Sequence, residues 1–580
     1  MVQVTIDGKK MQVDEGTKIL EAAEMAGIHI PTLCHHEDLT PAGTCGMCIV
    51  RIEGDPSYRR ACMTPVLDGM KISTHTKELR KIRRGLLELV LAAHPDDCLQ
   101  CIRHGNCELQ TLAERYELRS LRYDQYTRGL PVDVSAHGIV RDMNKCIGCG
   151  RCVQVCEELQ TVKAISFYDR GSDTIVSPGD DADMGSGVCV NCGQCVAYCP
   201  VGALHEKEQI DEVWEGIENP EMIVAAQIAP SVRVALGEEF GMKPGELVIG
   251  KIYAALRRMG VDVVFDTNFS ADLTIMEEGT EFLNLVEKGG PFPLITSCSP
   301  GWVKFGETYF PDLTEYISSC KSPQQMMGAL IKTYYADNRG IDPGKIMSLS
   351  IMPCTAKKYE ALRPEMRDSG YQDVDYVLTT REFARMIRQA GVDFAALADE
   401  QADPMLSAYS GAATIFGATG GVMEAALRTA YEVKTGERLE EIEFHPVRGL
   451  SGIKEAVIDI KGLPVRVAVA HGLSNARELL EKVSEAKKRG EDPYHFIEIM
   501  ACRGGCIGGG GQPIDNSMRK RKERIMGLYN EDENRPIRRS HENPEIGAIY
   551  KAFLGAPGSE TAHHLLHTHY TKRNPYETAV

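Results

Sequence analysis

The pattern of apolar and polar positions changes along the chain. Alternating apolar residues predict a strand over residues 2–6, and a turn at Gly8 leads to a second strand over residues 11–13. A helical period follows over residues 19–26, and the basic stretch 77–90 is also predicted to be helical. The N-terminal segment therefore combines short strands with an amphipathic helix.

Beyond residue 210, short apolar runs alternate with helical segments, which is the pattern of α/β architecture. The predicted strands cover residues 222–228, 293–295, 347–352, 465–469 and 496–500, and the predicted helices cover residues 282–287, 324–336 and 476–488. The polar residues 516–580 predict a helical C-terminal wrap rather than another domain.

Length and charge limit the classes of protein to consider. A chain of 580 residues is too long for one hydrophobic core. Its net charge of −17 disfavours nucleic acid and anionic membranes as partners. We find no apolar run near the length of a membrane span and no signal peptide at the N-terminus. We therefore expect a soluble, cytoplasmic protein without membrane insertion.

The 20 cysteines change this picture. In a long chain without an export signal, cysteine indicates metal binding rather than disulfides. Four thiols in the β-rich N-terminal segment suit a 2Fe–2S cluster, and Gly43 and Gly46 allow backbone amides to approach its sulfurs. A structural zinc site is the alternative. The four residues are Cys34, Cys45, Cys48 and Cys62.

A second set combines one histidine with three thiols. The spacing H-x3-C-x2-C-x5-C suits either zinc or a 4Fe–4S cluster, and spacing alone leaves both interpretations open. The residues are His94, Cys98, Cys101 and Cys107.

A third pattern is a duplicated run of the form C-x2-C-x2-C-x3-C. The repeat is that of bacterial two-cluster ferredoxins, in which the fourth cysteine of each run ligates the other cluster. Zinc matches such interleaved thiols poorly. The first 4Fe–4S cluster is predicted at Cys146, Cys149, Cys152 and Cys199, and the second at Cys189, Cys192, Cys195 and Cys156.

Four more cysteines lie in the back half: Cys298, Cys354, Cys502 and Cys506. The first three follow the ends of predicted strands, where open α/β sheets bind ligands. A glycine-rich stretch follows the fourth and allows close approach of the backbone to a bulky cofactor. Buried structural thiols are the alternative. Cys320 belongs to no set.

Three segments resemble the signature motifs of FeFe hydrogenases. They are residues 296–302 (TSCSPGW), 352–358 (MPCTAKK) and 498–506 (EIMACRGGC), and residues 417–428 and 540–543 are also similar to family blocks. The resemblance covers essentially the whole chain. Its front half resembles the accessory-cluster region of the larger monomeric and multimeric, bifurcating-type members.

The resemblance implies reversible interconversion of molecular hydrogen with protons and electrons at an H-cluster. This cofactor joins a 4Fe–4S cube, through one cysteine sulfur, to a di-iron unit with CO, cyanide and a dithiolate bridge. By position, Cys354, Cys502 and Cys506 ligate the cube, and Cys506 supplies the bridging sulfur. Lys357 would pair with a cyanide through a charge-assisted hydrogen bond. The di-iron pocket would be lined by Met352, Pro353 and Met500.

The first motif departs from the family pattern, in which two adjacent cysteines are common. Here Cys298 is followed by Ser299, and a hydroxyl is a poor ligand for iron. We predict that Cys298 is the fourth ligand; Cys298 as proton relay beside an altered cube is the alternative. The family's proton-relay positions correspond to Glu278, Ser318 and Glu281, which would otherwise form a solvated helix end.

These patterns predict a multidomain α+β and α/β protein. Its expected parts are a β-grasp 2Fe–2S ferredoxin-like domain (1–77), a small His/Cys3 4Fe–4S domain (78–135), a bacterial two-4Fe–4S ferredoxin-like domain (136–209), a large α/β H-cluster domain (210–515) and the C-terminal wrap (516–580). The expected cofactors are one 2Fe–2S cluster, three 4Fe–4S clusters and the H-cluster.

The expected electron partner is ferredoxin or a flavin-containing, NADH-linked subunit, because we find no nucleotide motif in this chain. Two other functions stay open: a hydrogen sensor, and an electron-transfer subunit like those of respiratory NADH dehydrogenases. The histidine-rich tail is interpreted as packing of a surface helix; it contains His563, His564, His567 and His569.

Overall fold

The N-terminal unit is a five-stranded mixed sheet with one helix. A computed structural model describes residues 1–179 and 182–573. The elements of this unit are β1 (Val2–Ile6), β2 (Lys9–Val13), α1 (Ile19–Met25), β3 (Ile49–Ile52), β4 (Tyr58–Arg60) and β5 (Met70–Ser73). The strand order is β2–β1–β5–β3–β4, with β1 parallel to β5. The predicted strands and helix of this segment are confirmed.

Two small cysteine-bearing units follow. The first contains α2 (Lys77–Ala92) and α3 (Glu108–Arg115); the second contains β6 (Ile139–Arg141), α4 (Arg151–Gln154), β7 (Ser166–Tyr168), β8 (Ile175–Ser177), α5 (Gln194–Tyr198) and β9 (Leu204–Glu206). The duplication is visible in the backbone, because α4 and α5 each begin after a left-handed glycine. Gly150 has φ +81° and Gly193 has φ +69°.

The back half contains two four-stranded sheets. Its strands are β10 (Ile223–Ile228), β11 (Val263–Asp266), β12 (Leu294–Ile295), β13 (Ile346–Met352), β14 (Tyr376–Thr379), β15 (Ile453–Ile460), β16 (Leu463–His471) and β17 (Phe496–Met500). The orders are β11–β10–β13–β14 and β12–β17–β16–β15. All neighbouring pairs are parallel except the hairpin of β15 and β16.

Helices connect these strands and cover the sheets. They are α6 (Ile210–Glu218), α7 (Ile249–Arg258), α8 (Thr267–Lys288), α9 (Pro300–Tyr309), α10 (Pro323–Leu330), α11 (Ala336–Arg339), α12 (Ala356–Ala361), α13 (Thr380–Gln389), α14 (Gly411–Ile415), α15 (Gly421–Thr435) and α16 (Leu473–Lys488). All five predicted strands of this region are present, while β11, β14 and β15 were not predicted.

Two helix predictions need correction. The helix predicted over residues 282–287 is only the end of α8, whose first half buries polar side chains and so lacks an apolar stripe. Asn268 donates to the Thr414 hydroxyl at 3.1 Å, and Asp272 accepts from Ser410. The helix predicted over residues 324–336 is divided by a π-helical turn between α10 and α11.

The C-terminal segment packs against helices of the back half through α17 (Met518–Asn534), α18 (Pro544–Ile549) and α19 (Glu560–Leu566). A buried ion pair between Arg428 and Asp532, at 2.8 Å, anchors α17 to α15. The predicted wrap is therefore helical over its described part, and residues 574–580 lie outside the described residues. Within residues 1–179 and 182–573, no helix has the length and apolarity needed to cross a bilayer.

Arg381 on α13 joins the duplicated cysteine unit to the loop after β17. Its guanidinium donates to the Glu206 carboxylate at 2.7 Å and to the Gly510 carbonyl at 2.8 Å. Arg385 also donates to Glu206, at 2.8 Å. Burial opposes ionisation of Glu206, but the two guanidinium charges outweigh it and hold the pKa of Glu206 well below its usual range.

We expect Arg381→Met to destabilise the protein by about 3–5 kcal/mol, because it leaves a buried carboxylate with one partner fewer. The loss is largest above about pH 4.5, where Glu206 is ionised also in the unfolded chain, and shrinks on acidification. Denaturant unfolding under anaerobic conditions measures it. The control is Arg388→Met, which breaks a more exposed pair with Glu239 and costs about 1 kcal/mol or less. Equal losses in both variants would contradict the assignment.

Candidate functional site: a cavity lined by four thiols

The carboxyl ends of parallel strands from both sheets meet at one buried cavity. The segments that follow β10, β12, β13 and β17 line it, together with the first turns of α8 and α9. The empty space between its lining residues, which includes some open solvent, amounts to about 810 Å³. Ligands bind at this edge of open α/β sheets because the loops that follow the strands converge there and are not tied up in strand pairing.

The four back-half thiols all line this cavity: Cys298, Cys354, Cys502 and Cys506. Burial raises the pKa of each thiol, and the charges of its thiol neighbours raise it further for Cys298, Cys502 and Cys506, reaching about 12 for Cys506. Buried thiolates need a cationic partner, so this donor set fits an iron–sulfur cofactor. Among the described residues, no three or more His, Cys, Asp or Glu side chains are grouped to hold a single metal ion.

Glycines allow the Cys506 loop to approach its neighbours. Gly505 has φ +94°, and a Cβ atom there would lie 2.7 Å from the backbone nitrogen of Thr419. A Cβ atom on Gly509 would lie 2.2 Å from the carbonyl oxygen of Pro353. The loops that carry Cys506 and Cys354 are therefore in direct backbone contact, which fixes the two thiols relative to each other.

The other predicted pocket residues also line the cavity. Met352, Pro353 and Met500 form an apolar part of its wall. The Lys357 ammonium donates to the Cys298 carbonyl at 3.1 Å and to the Glu360 carboxylate at 2.9 Å. Sequence reasoning missed Glu360, although its position three residues after Lys357 on a helix was a usable signal.

Cys298 and Ser299 have different surroundings. Burial raises the pKa of the Cys298 thiol; the charges of Cys506 and Glu278 raise it further, and the charge of Lys357 opposes them. The Ser299 hydroxyl accepts a hydrogen bond from the backbone nitrogen of Ala501 at 3.2 Å. Both residues line the cavity. The ligand role of Cys298 stays a prediction.

The three predicted relay residues lie together beside Cys298. Glu278 and Glu281 are on α8, and the Ser318 hydroxyl donates to Glu281 at 2.7 Å and also lies beside Glu278. Burial, and then the charge of Glu281, raises the pKa of Glu278 to about 8. Glu278 is 1% exposed, so the interpretation as a solvated helix end is wrong for it.

The N-terminal thiols form a compact group. The Sγ atoms of Cys48 and Cys62 are 3.4 Å apart, and a hydrogen bond from Cys45 lowers the pKa of Cys34 to about 5. The charge of Cys34 also raises the pKa of Cys62, so the two pairs are neighbours.

The histidine-containing set is closer to the surface. His94 is buried, and within residues 1–179 and 182–573 its Nδ1 has no hydrogen-bond partner, as expected of a nitrogen reserved for a ligand. Cys98 is exposed, while Cys101 and Cys107 are half-buried, and the Cys101 thiol packs against Gly202. These residues fit a metal cluster at the boundary with the duplicated unit.

The cysteines of the two duplicated runs are neighbours in the predicted arrangement, in which the fourth cysteine of each run joins the other cluster. The thiols whose charges raise the pKa of Cys152, after burial, are foremost those of its predicted set: Cys149, Cys146 and Cys199. For Cys195 they begin with Cys189 and Cys156. Cys192 additionally lines the large cavity.

Gln194 connects the duplicated unit to the cavity, and sequence reasoning missed it. Its side-chain amide donates to the Cys502 sulfur at 3.2 Å and to the Gly508 carbonyl at 3.0 Å. Its position inside a cysteine motif carried no signal of a contact more than 300 residues away.

Family models cover nearly the whole chain. Residues 222–510 match the C-terminal domain of the iron only hydrogenase large subunit, and residues 518–573 match the iron hydrogenase small subunit. The front matches a 2Fe–2S iron–sulfur cluster binding domain (1–77), the NADH-ubiquinone oxidoreductase-G iron–sulfur binding region (83–122) and a 4Fe–4S dicluster domain (145–203). These matches favour clusters over the zinc alternatives.

Individual relatives agree. The NADP-reducing hydrogenase subunit HndD of Solidesulfovibrio fructosivorans is 50% identical over 590 residues, covering 99% of both chains. Iron hydrogenase 1 of Clostridium pasteurianum is 42% identical, covering 99% of this chain and 100% of that protein. A solved apo [FeFe]-hydrogenase HydA1 variant from Chlamydomonas reinhardtii, at 40% identity and TM-score 0.56, covers 63% of this chain and 99% of its own.

The fold and site define an iron–sulfur oxidoreductase, and the chain belongs to the FeFe hydrogenases. It interconverts molecular hydrogen with protons and electrons, with 2Fe–2S and 4Fe–4S domains serving an H-cluster domain.

We expect the Glu278 carboxyl to be protonated at pH 7, because its raised pKa places ionisation near pH 8. Infrared difference spectroscopy should show a protonated carboxyl band that Glu278→Gln removes and that fades as the pH rises through about 8. The matched control is Glu287→Gln at the exposed end of the same helix, which should leave the band unchanged. A band missing at pH 7 would contradict the assignment.

Proposed function

We propose that Cys298, Cys354, Cys502 and Cys506 hold the cube of the H-cluster, and that Cys506 carries the sulfur shared with the di-iron unit. The observation that supports this most directly is the convergence of these thiols on one buried cavity. When bound, the H-cluster supplies the redox chemistry that joins two protons and two electrons as hydrogen. The protein positions the cofactor and delivers the protons and electrons.

Electrons enter from the front half in this proposal. The Thr44 hydroxyl, next to Cys45, donates to the Cys149 carbonyl at 3.4 Å. Arg103, in the loop of the histidine-containing set, donates to the Cys199 carbonyl at 2.8 Å. Cys149 and Cys199 belong to the same predicted cluster. One 2Fe–2S and one His/Cys3 cluster would therefore both feed the first of two ferredoxin-type 4Fe–4S clusters.

The second ferredoxin-type cluster would pass electrons to the cube. Cys192 and Gln194 belong to its loop, and both reach the cavity. A hydrogen bond to a ligating sulfur stabilises the reduced cluster, so Gln194 would also raise the potential of the cube. The accessory clusters in this route are one 2Fe–2S and three 4Fe–4S clusters.

Protons would travel through Glu278, Ser318 and Glu281, and Cys298 would join this route only in the alternative in which it is a relay instead of a ligand. A protonated Glu278 beside the Ser318 hydroxyl suits proton exchange between groups in hydrogen-bond contact. The charge of Glu278 raises the pKa of the cavity-lining Cys298, so Glu278 would be the cavity end of this route. Lys357, held by Glu360, places a positive charge at the cavity wall for an anionic ligand.

The electron partner would be a flavin-containing, pyridine-nucleotide-linked subunit, with ferredoxin as the second candidate. A relative that is 50% identical over 99% of this chain is named as a subunit of an NADP-reducing hydrogenase. The front of this chain matches an iron–sulfur region of NADH-ubiquinone oxidoreductase, which favours the same kind of assembly. Such an assembly would operate in the cytoplasm.

We expect Cys506→Ala to lose the iron of the cavity, because a bridging sulfur cannot be replaced by a methyl group. Iron content after full maturation should fall, and hydrogen evolution from a reduced dye should drop to background. Cys320→Ala is the matched control, because Cys320 is also a buried thiol but lines no part of the cavity.

Equal iron contents in the two variants would contradict the ligand assignment. A wild-type protein with full iron but background hydrogen evolution would favour the hydrogen-sensor alternative.

A further inference from the structure

We infer that His567 exchanges protons with Glu281 through the Ser319 hydroxyl and forms a solvent-side end of the proton route. The inference rests on the relay role proposed for Glu281. It assigns a proton-transfer residue to the C-terminal segment, which sequence analysis interpreted as surface packing. That interpretation is wrong for His567, which is 7% exposed and bonded to two side chains.

One hydroxyl bridges the carboxyl and the imidazole. The Ser319 Oγ lies 3.2 Å from Oε1 of Glu281 and 2.8 Å from Nδ1 of His567. The backbone nitrogen of Ser319 also donates to Glu281, at 3.3 Å, which holds the carboxylate in place. All members of this file are within the distances over which protons exchange.

The second imidazole nitrogen is fixed by another carboxylate. Nε2 of His567 lies 3.1 Å from Glu277, which also accepts from the Tyr550 hydroxyl and, at 2.8 Å, from the backbone nitrogen of Gly558. Glu277 therefore retains a proton on Nε2, so that Nδ1 is the nitrogen that gains and loses one.

The main chain sets the position of His567 independently of its side chain. The backbone nitrogen of Thr568 donates to the Ser319 carbonyl at 2.7 Å, and that of Lys321 donates to the Leu566 carbonyl at 2.8 Å. The exposed His563, one turn earlier on α19, stacks on the His567 ring with centroids 4.6 Å apart. The ring is thus held between the relay and the surface.

The transfer is balanced in both directions. During hydrogen evolution the Nδ1 proton of the imidazolium moves to Ser319 as the Ser319 hydroxyl proton moves to Glu281. Solvent then returns a proton to His567. Hydrogen oxidation runs the same steps in reverse. The charged groups that face His567 are Glu277 and Glu281, and the other titratable neighbours are Tyr550, Cys320 and His563.

The test compares three variants of the matured enzyme. His567→Gln retains hydrogen-bonding capacity but carries no exchangeable charge, and should lower hydrogen evolution from a reduced dye about tenfold or more. His564→Gln, the same change at an exposed position of α19, should leave the rate unchanged. Imidazole added to His567→Ala should restore part of the rate.

A second readout does not involve turnover. In histidine-labelled protein without the di-iron unit, Glu281→Gln should change the NMR signals of the His567 ring, because the hydrogen-bonded file through Ser319 is altered, and leave those of His564 unchanged. A wild-type rate in His567→Gln, no rescue by imidazole, or unchanged NMR signals of the His567 ring would overturn the inference. Glu278→Gln distinguishes failure of this inference from failure of the proposed relay. If Glu278→Gln also keeps the wild-type rate, the proposed relay itself fails.

Discussion

Buried thiolate charge is the constraint on which the rest of this structure depends. Four cysteines from distant parts of the chain face one cavity, where burial raises the pKa of every thiol. Such a group is tolerated in a protein interior only when a positive centre compensates it. The two sheets bring the four thiols together because several of their parallel strands end at the cavity. The cofactor satisfies the electrostatic requirement.

In the proposed mechanism, electrons and protons reach the cavity through different parts of the chain. For electrons, Gln194 of the ferredoxin-like unit bonds to the Cys502 sulfur, so the last accessory cluster would be adjacent to the cube. For protons, Glu278 is hydrogen-bonded to Ser318, and its charge raises the pKa of Cys298. Electrons tunnel through packed protein between clusters, whereas protons move along hydrogen-bonded groups. The two proposed routes therefore need different kinds of residues. The chain places cysteine loops on one face and a polar helix on the other.

The cysteine sets and several strand ends were predictable because they depend on local spacing and on short apolar runs. The first half of α8 was not predictable, since Asn268 and Asp272 are buried and satisfied by partners more than 130 residues away. The roles of Gln194 and His567 were not predictable for the same reason, because their partners are 308 and 248 residues distant. Tertiary hydrogen bonds leave no periodic trace in sequence, whereas ligand spacing does.

Ser299 is the position where this chain departs from the adjacent cysteine pair that is common in the family, and the structure shows what its side chain contacts. Its hydroxyl accepts a hydrogen bond from the Ala501 backbone, while the pKa of the adjacent Cys298 thiol is raised by burial and by the charges of Cys506 and Glu278. Infrared spectroscopy of the fully matured protein tests the central claim most directly. We expect CO and cyanide stretching bands in the wild-type protein, from a di-iron unit attached at Cys506. A protein loaded with iron and sulfide, but without those bands after complete maturation, would contradict the account.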